Sequence, residues 1–120
     1  MAEKVLAPLL LAASSAAAMA DTSGYMLRIE PTVEASKLTV VPVIAAPAGS
    51  VLRYEMQSTK EGASGRSTTS QSGRVNVGAD GSAKLSILRL GVGADDRYLI
   101  AVKVFDGDKL VAEDILRYPR

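Results

Sequence analysis

The sequence contains no cysteine, no histidine and no tryptophan, and only one phenylalanine. The absence of histidine and cysteine excludes Ser-His-Asp and Cys-His catalysis, histidine metal sites and thiolate nucleophiles. A serine–lysine pair or a carboxylate pair is the only acid–base chemistry left, and no pattern in the chain favours either. We therefore predict that the protein is not an enzyme and needs no cofactor. Without disulfides, hydrophobic packing alone must hold the fold.

The chain also lacks an excess of charge of either sign. It has 14 basic and 13 acidic residues, so it has no overall field that would draw it to nucleic acid. We expect no nucleic-acid partner, and any electrostatic recognition must come from a local patch.

The first twenty residues, MAEKVLAPLLLAASSAAAMA, have the three parts of a secretory signal peptide. Lys4 provides the positive start, residues 5–18 the apolar run, and Ala18-Met19-Ala20 the small-residue cleavage site. A transmembrane helix is the alternative, but the strongly apolar part is short for a span of roughly 20 residues. We predict a signal peptide over residues 1–20 and an exported mature chain that starts at Asp21.

The remaining residues, 21–120, suffice for one domain with its own core. Short apolar runs are separated by glycine-rich or proline-rich turns, and none has a sustained helical period, which predicts an all-β fold. We expect an immunoglobulin-like β-sandwich of about seven antiparallel strands. The predicted strands are 25–30, 37–45, 52–57, a loop or short edge strand within 61–77, then 83–92, 98–105 and 110–118.

Four local features accompany this assignment. Pro31 should end the first strand, and Pro42 should require an edge position or a bulge in the second, because proline has no N–H to donate. A bulge between Ile87 and Leu88 would bring the apolar residues of the fifth strand to one side. Asp106-Gly107-Asp108 predicts a tight hairpin turn.

Two weak motifs have simpler explanations. Gly91-Val92-Gly93-Ala94 has a glycine-rich pattern, but no predicted helix follows that would place its N-terminus at a phosphate. Asp106 and Asp108, with Glu113 and Asp114 beyond, supply carboxylates without forming a complete calcium loop. We interpret the first motif as a turn and the second as a solvated hairpin tip, and we expect no metal site.

One face of the predicted sandwich combines charge with apolar groups. The third and sixth predicted strands should be neighbours in one sheet, so Arg53 and Lys103 would project from its outer face beside Leu99, Ala101 and Phe105. Such a surface is typical of a binding patch, although the same residues could be ordinary solvent-facing side chains. Arg66 and Arg89 are weaker candidates, expected on the other sheet or its edge.

The sequence resembles the CsgC-like proteins of curli systems, and in particular the CsgH branch. The resemblance rests on EGASGRSTTSQ at residues 61–71 and LRLGVGADDRYLIAVKVFDGDKL at residues 88–110, and it covers the chain from Ser50 to its end. It implies a periplasmic immunoglobulin-like chaperone that prevents amyloid subunits from polymerising before export. The Cys-x-Cys motif of CsgC would fall on Ser50-Val51-Leu52, so a redox role for that motif does not carry over.

The resemblance implies that the partner is a curli-type amyloid subunit, either unfolded or an early oligomer. We hypothesise that a monomer binds it weakly, guided by charge, and has no membrane contact after signal cleavage. The candidate contact residues are Arg53, Lys103, Leu99, Phe105, Arg89 and Arg66. The alternative is a structural or adhesion module that adds a partner strand to an open edge at residues 66–71.

Overall fold

Eight β-strands form the fold in the computed structural model, which describes residues 24–119. The predicted signal peptide lies outside these residues. The strands are β1 (Met26–Glu34), β2 (Lys37–Ala45), β3 (Val51–Gly62), β4 (Gly65–Asn76), β5 (Ser82–Lys84), β6 (Leu88–Gly91), β7 (Arg97–Asp106) and β8 (Lys109–Tyr118). The predicted all-β sandwich is confirmed, with eight strands where about seven were expected. Within the described part of the chain, no helix is long and apolar enough to cross a membrane.

The strands form two antiparallel sheets. In the first sheet β2 is central, with β1 on one side and both β5 and β6 on the other. The second sheet has the order β4-β3-β7-β8. The core lies between the two sheets, because alternate residues of β2, β3 and β7 are buried while their neighbours face outward.

The β7–β8 hairpin follows the sequence prediction closely. Its turn consists of Gly107 and Asp108, and Gly107 has a φ of 63°, which glycine adopts without strain. Four residues of β7 share the buried face as predicted, namely Tyr98, Ile100, Val102 and Val104. The register shifts by one residue between Val104 and Phe105. This bulge was not predicted, and it decides which residues of β8 face outward.

The predicted continuous strand over residues 83–92 is interrupted. β5 and β6 both pair with β2, but residues 85–87 between them leave the ladder. The interruption faces Pro42, which is buried in the central strand and has no N–H to offer a neighbour. Only its carbonyl is used, accepting a hydrogen bond of 2.9 Å from the Leu85 N–H. Pro42 therefore lies in a central strand without a bulge of its own, contrary to the prediction of an edge position or a bulge, and the irregularity lies in the partner strand instead.

Two finer predictions for these strands are wrong. The expected bulge would have buried Ile87 together with Leu85 and Leu88, but Ile87 is exposed because the chain leaves the sheet there. The expected end of the first strand at Pro31 is also wrong, since β1 continues to Glu34. β1 is an edge strand, where a residue without an N–H need not break a ladder.

β4 is a full strand of 12 residues rather than a loop or a short edge. It pairs with β3 residue for residue: Gly62 lies opposite Gly65 at the turn, and Val51 lies opposite Asn76 at the far end. Backbone hydrogen bonds hold it in place, because its side chains bury very little. β3 is correspondingly longer than the predicted 52–57.

Candidate binding surface

Pairing of β3 with β7 brings the two predicted cationic residues to one face. Arg53 lies opposite Phe105, and Glu55 lies opposite Lys103. The residues that alternate with them are buried, so all four project from the outer side of the second sheet. The structure thus places Arg53 and Lys103 together as predicted, while their part in binding stays a prediction.

Arg53 is held flat against the sheet by two neighbours. Its guanidinium carbon lies 4.2 Å from the centre of the Phe105 ring, within cation–π distance. Its Nη1 lies 2.7 Å from Glu55 Oε2 and donates a hydrogen bond to it. The ring and the carboxylate together orient the charge of Arg53 across the face, leaving the side chain partly exposed.

Lys103 lies in a row of alternating charge. Its cross-strand neighbours are Glu55 on β3 and Glu113 on β8, and all three side chains are exposed. These carboxylates weaken the local positive potential around the lysine. The face is therefore of mixed charge around Lys103 and is not uniformly positive.

Counted over the whole outer face of the second sheet, positive charge still prevails. The ladder registers place six cationic side chains there against three carboxylates, which leaves an excess of three positive charges. The cationic residues are Arg53, Arg66, Arg74, Arg97, Lys103 and Arg117, and the acidic ones are Glu55, Glu61 and Glu113.

An apolar strip crosses the centre of this face. Leu99 is 40% exposed and Ile115 is 49% exposed, and Ala101 lies directly opposite Ile115. Sequence reasoning found Leu99 but missed Ile115. The bulge between Val104 and Phe105 turns Ile115 outward, and no signal in the sequence of β8 specifies that bulge.

Arginine residues are concentrated at one end of the face. A shallow groove there is lined by Arg66, Arg97 and Arg117, together with Leu99 and Glu61. Arg66 Nε lies 3.8 Å from Glu61 Oε2, a loose ion pair between exposed groups. Sequence reasoning did not name Arg97 or Arg117 as candidates for this surface. Alternation along β7 could have identified Arg97, which shares the face of Lys103.

The remaining two predicted residues are divided between the sheets. Arg66 lies on β4, at the edge of the same sheet as Arg53, and not on the other sheet. Arg89 lies on β6 opposite Thr39, on the outer side of the first sheet. Five of the six predicted contact residues therefore share one surface, and Arg89 lies on the opposite side of the sandwich.

Asp96 holds the loop that leads into β7. Its Oδ2 accepts a hydrogen bond of 2.7 Å from the Gly93 N–H and lies 3.4 Å from Lys60 Nζ. The Gly93 hydrogen bond, and secondarily the charge of Lys60, hold the pKa of the Asp96 carboxyl below its ordinary value of 3.8. The loop before β7 thus contains one structural carboxylate, which fixes the start of the strand that bears Leu99 and Lys103.

Comparison with known proteins agrees with this architecture. The sequence model of the thin aggregative fimbriae synthesis protein family, Tafi-CsgC, matches residues 16–114. The curli assembly protein CsgC of Escherichia coli strain K12 is 32% identical over 79 residues, covering 66% of this chain and 72% of the relative. CsgC of Escherichia coli O1:K1 / APEC matches with the same identity and coverage.

Two solved structures have the same fold. The E. coli curli protein CsgC superposes with a TM-score of 0.63 at 26% identity, covering 80% of this chain and 99% of that one. The solution structure of R. palustris CsgH superposes with a TM-score of 0.63 at 23% identity, covering 77% and 90%. Because the family match spans most of the sequence, the chain belongs to the CsgC-like family of thin aggregative fimbriae synthesis proteins.

Proposed function

We propose that this protein is a periplasmic chaperone that delays amyloid polymerisation of curli-type subunits by weak, electrostatically guided binding. Membership of the CsgC-like family supports a role in curli assembly, since its relatives in E. coli are curli assembly proteins. The lack of cysteine, including at Ser50-Val51-Leu52, supports assignment to the CsgH branch and a mechanism without thiol chemistry. The pattern of residues 1–20 supports export to the periplasm.

The observation that carries the proposal is the outer face of the second sheet. It joins an excess of positive charge to an exposed apolar strip, on a rigid sheet whose other side is the core. Flexible chains with acidic groups would be attracted to the charge and would make brief contacts with Leu99, Ile115 and Phe105. Contacts of this kind compete with the strand pairing that starts cross-β growth. Since nucleation is rare, a small amount of chaperone suffices.

The decisive test is the lag before fibre growth of a purified curli major subunit, with the mature chain present at low molar ratio. We expect the wild-type chain to lengthen the lag and Arg53→Glu with Lys103→Glu to abolish most of that effect. The matched control is Arg28→Glu with Lys84→Glu, which makes the same charge change on the outer side of the first sheet. Thermal unfolding of both variants checks that each is folded.

An equal loss of the delay in fibre growth in both double variants would contradict the proposal. It would show that the delay depends on the net charge of the protein and not on this face. The second candidate, a structural or adhesion module, predicts a stable one-to-one complex with a folded partner. A stable complex without any delay of fibre growth at low ratio would favour that candidate.

A further inference from the structure

Within residues 24–119, three of the four sheet edges carry features that discourage pairing with another chain. β1 contains Pro31 and a row of charged residues that begins with Arg28 and Glu30. β8 has the register shift opposite Val104 and Phe105. It also carries Asp114, which is exposed but points to the inner side of the sheet, as its buried partner Val102 does. The remaining edge consists of the short strands β5 and β6, with an interruption between them. Proline, bulges, inward-facing charges and short strands all discourage edge-to-edge association.

β4, the fourth edge, has no proline, no register shift, no inward-facing charge and no interruption, and its two charged residues, Arg66 and Arg74, lie on the outer face. It has 12 residues in unbroken register with β3 and contains no proline, no lysine and no carboxylate. Ten of these residues are exposed, and only Gly73 and Val75 are half-buried. Within the described residues, β4 pairs with a strand on one side only. Its other side therefore presents a long row of backbone N–H and C=O groups that pair with no strand.

The side chains of β4 define what could pair with it. Residues 67–72 are all serine, threonine or glutamine, so a docked strand would gain little from hydrophobic burial. Main-chain hydrogen bonds and polar cross-strand pairs would supply the affinity. Arg66 and Arg74 project from the same face near the two ends of the strand, and their charge favours a partner with carboxylates.

A second copy of this chain fits the edge poorly. Antiparallel pairing of two β4 strands centred on Ser70 would place Arg66 of one copy opposite Arg74 of the other. Like charges directly opposite one another destabilise a strand pair. The same two arginines that disfavour self-pairing would stabilise an acidic or neutral polar strand.

We infer that the free edge of β4 docks an extended polar segment of the client, rich in serine, threonine, glutamine or asparagine and carrying carboxylates. The segment adds to the second sheet as a further strand beside β4. For the identity of the client this inference rests on the proposed function, while the docking site rests on the edge itself. A docked segment has used one of its two edges, which leaves only one for pairing with another client chain.

The direct test uses a synthetic peptide of about ten residues, the span of a typical strand or slightly more. The peptide contains serine, threonine and glutamine with a glutamate near each end, and it is titrated into the mature chain. Amide hydrogen exchange, followed by NMR, should show new protection along β4 and none along β1 or β8. A peptide with a central proline, or with lysine in place of glutamate, should give no protection.

A matched pair of variants locates the site. Thr69 is exposed and pairs with the buried Ser58, so Thr69→Glu puts a carboxylate on the inner side of the free edge, where it repels an acidic strand. We expect this change to weaken peptide binding by at least about tenfold. Thr32→Glu makes the same substitution at an exposed position of β1 and should leave binding unchanged. Thermal unfolding confirms that both variants are folded.

Three results would overturn the inference: protection outside β4, equal binding by Thr69→Glu and wild type, or a β4-mediated dimer in the absence of peptide. The outcome is separable from that of the proposed function. If the chain delays fibre growth but β4 is never protected, the edge inference fails and the chaperone proposal stands. If the peptide docks on β4 but fibre growth is not delayed, the chaperone proposal fails and the edge inference stands.

Discussion

The guanidinium carbon of Arg53 lies 4.2 Å from the centre of the Phe105 ring, and the two residues face each other across the β3–β7 ladder. The arginine belongs to a cross-strand pair in which the charge of one residue covers the ring of the other. The only phenylalanine of the chain is therefore half-buried beneath a cation instead of lying in the core. This pair fixes the position of one positive charge on the proposed binding surface, at the end next to the β7–β8 turn.

A double-mutant cycle measures the strength of this contact. Arg53→Gln, Phe105→Leu and the double variant should show a coupling of about 0.5–1 kcal/mol in the free energy of unfolding, as expected of an exposed cation–π pair. Chemical denaturation supplies the measurement. The control cycle combines Arg74→Gln with Phe105→Leu. Arg74 lies on the same face but on β4, so the effects of these two substitutions on the free energy of unfolding should be additive. Equal coupling in both cycles would show that the Arg53 contact has no specific strength.

A second prediction concerns the packing of Tyr54 over Gly73. A Cβ added at Gly73 would lie 2.8 Å from the Tyr54 hydroxyl oxygen and 3.1 Å from its ring, and this ring is almost fully buried. We expect Gly73→Ala to lower the free energy of unfolding by about 1–3 kcal/mol, the usual cost of overpacking. The midpoint and slope of urea unfolding give this value.

Gly91→Ala is the matched control, because Gly91 is also in a strand and its added Cβ would meet no atom within 4 Å. It should change stability by no more than about 0.5 kcal/mol. Combining Gly73→Ala with Tyr54→Phe removes the closest contact and should recover part of the loss. No recovery would mean that the glycine is needed for its backbone and not for the space above it.

The third prediction follows from the lowered pKa of Asp96. Because the folded state favours the ionised carboxyl, Asp96 stabilises the fold fully above its ordinary value of 3.8. This contribution declines as the pH falls below that value and is lost once the pH passes the lower pKa of the folded state. Asp96→Asn should therefore be less stable than wild type near neutral pH, with the gap closing in acid.

Thermal midpoints measured from neutral pH down through the acid range would show this convergence as the carboxyl becomes protonated in the folded state as well. Asp95→Asn is the control, because it makes the same substitution at the exposed neighbour while the Gly93 N–H stays bonded to Asp96, and it should cost much less stability at neutral pH. A gap between Asp96→Asn and wild type that stayed constant through the acid range would contradict the role given to the Gly93 hydrogen bond.

The fourth prediction concerns ionic strength. If charge guides the client to the outer face, the delay of fibre growth should shrink as salt rises towards about 1 M, where the screening length falls to about 3 Å. Fibre growth of the client alone at each salt concentration is the reference, because salt also acts on the client. A delay that did not change with salt would indicate that Leu99 and Ile115 bind the client without help from charge.

Faces within single strands were predictable from the sequence. Alternation along β7 placed Leu99, Lys103 and Phe105 on one face of their strand, because successive side chains of a strand point to opposite sides. The hairpin turn that follows Asp106 was predictable for a similar reason. A turn of two residues requires a positive φ, which Gly107 adopts without strain. Both inferences use only interactions between near neighbours in the chain.

The edges and the registers were not predictable in this way. β4 was expected to be a loop or a short edge strand because its side chains have almost nothing to bury, yet it is a full strand of 12 residues because its backbone pairs with β3. Ile115 faces outward only because a bulge shifts β8 by one residue. Backbone hydrogen bonds are common to all residue types, so side-chain patterns carry little information about them.

The sequence by itself determined an all-strand domain without disulfides, and the faces of its individual strands. Only the tertiary structure decided that Arg66 shares a sheet with Arg53 while Arg89 does not, and that β4 is the one long edge left open. The physical reason is distance along the chain. Alternation acts between residues one or two positions apart, whereas sheet membership and edge exposure depend on pairing between segments that are far apart in sequence.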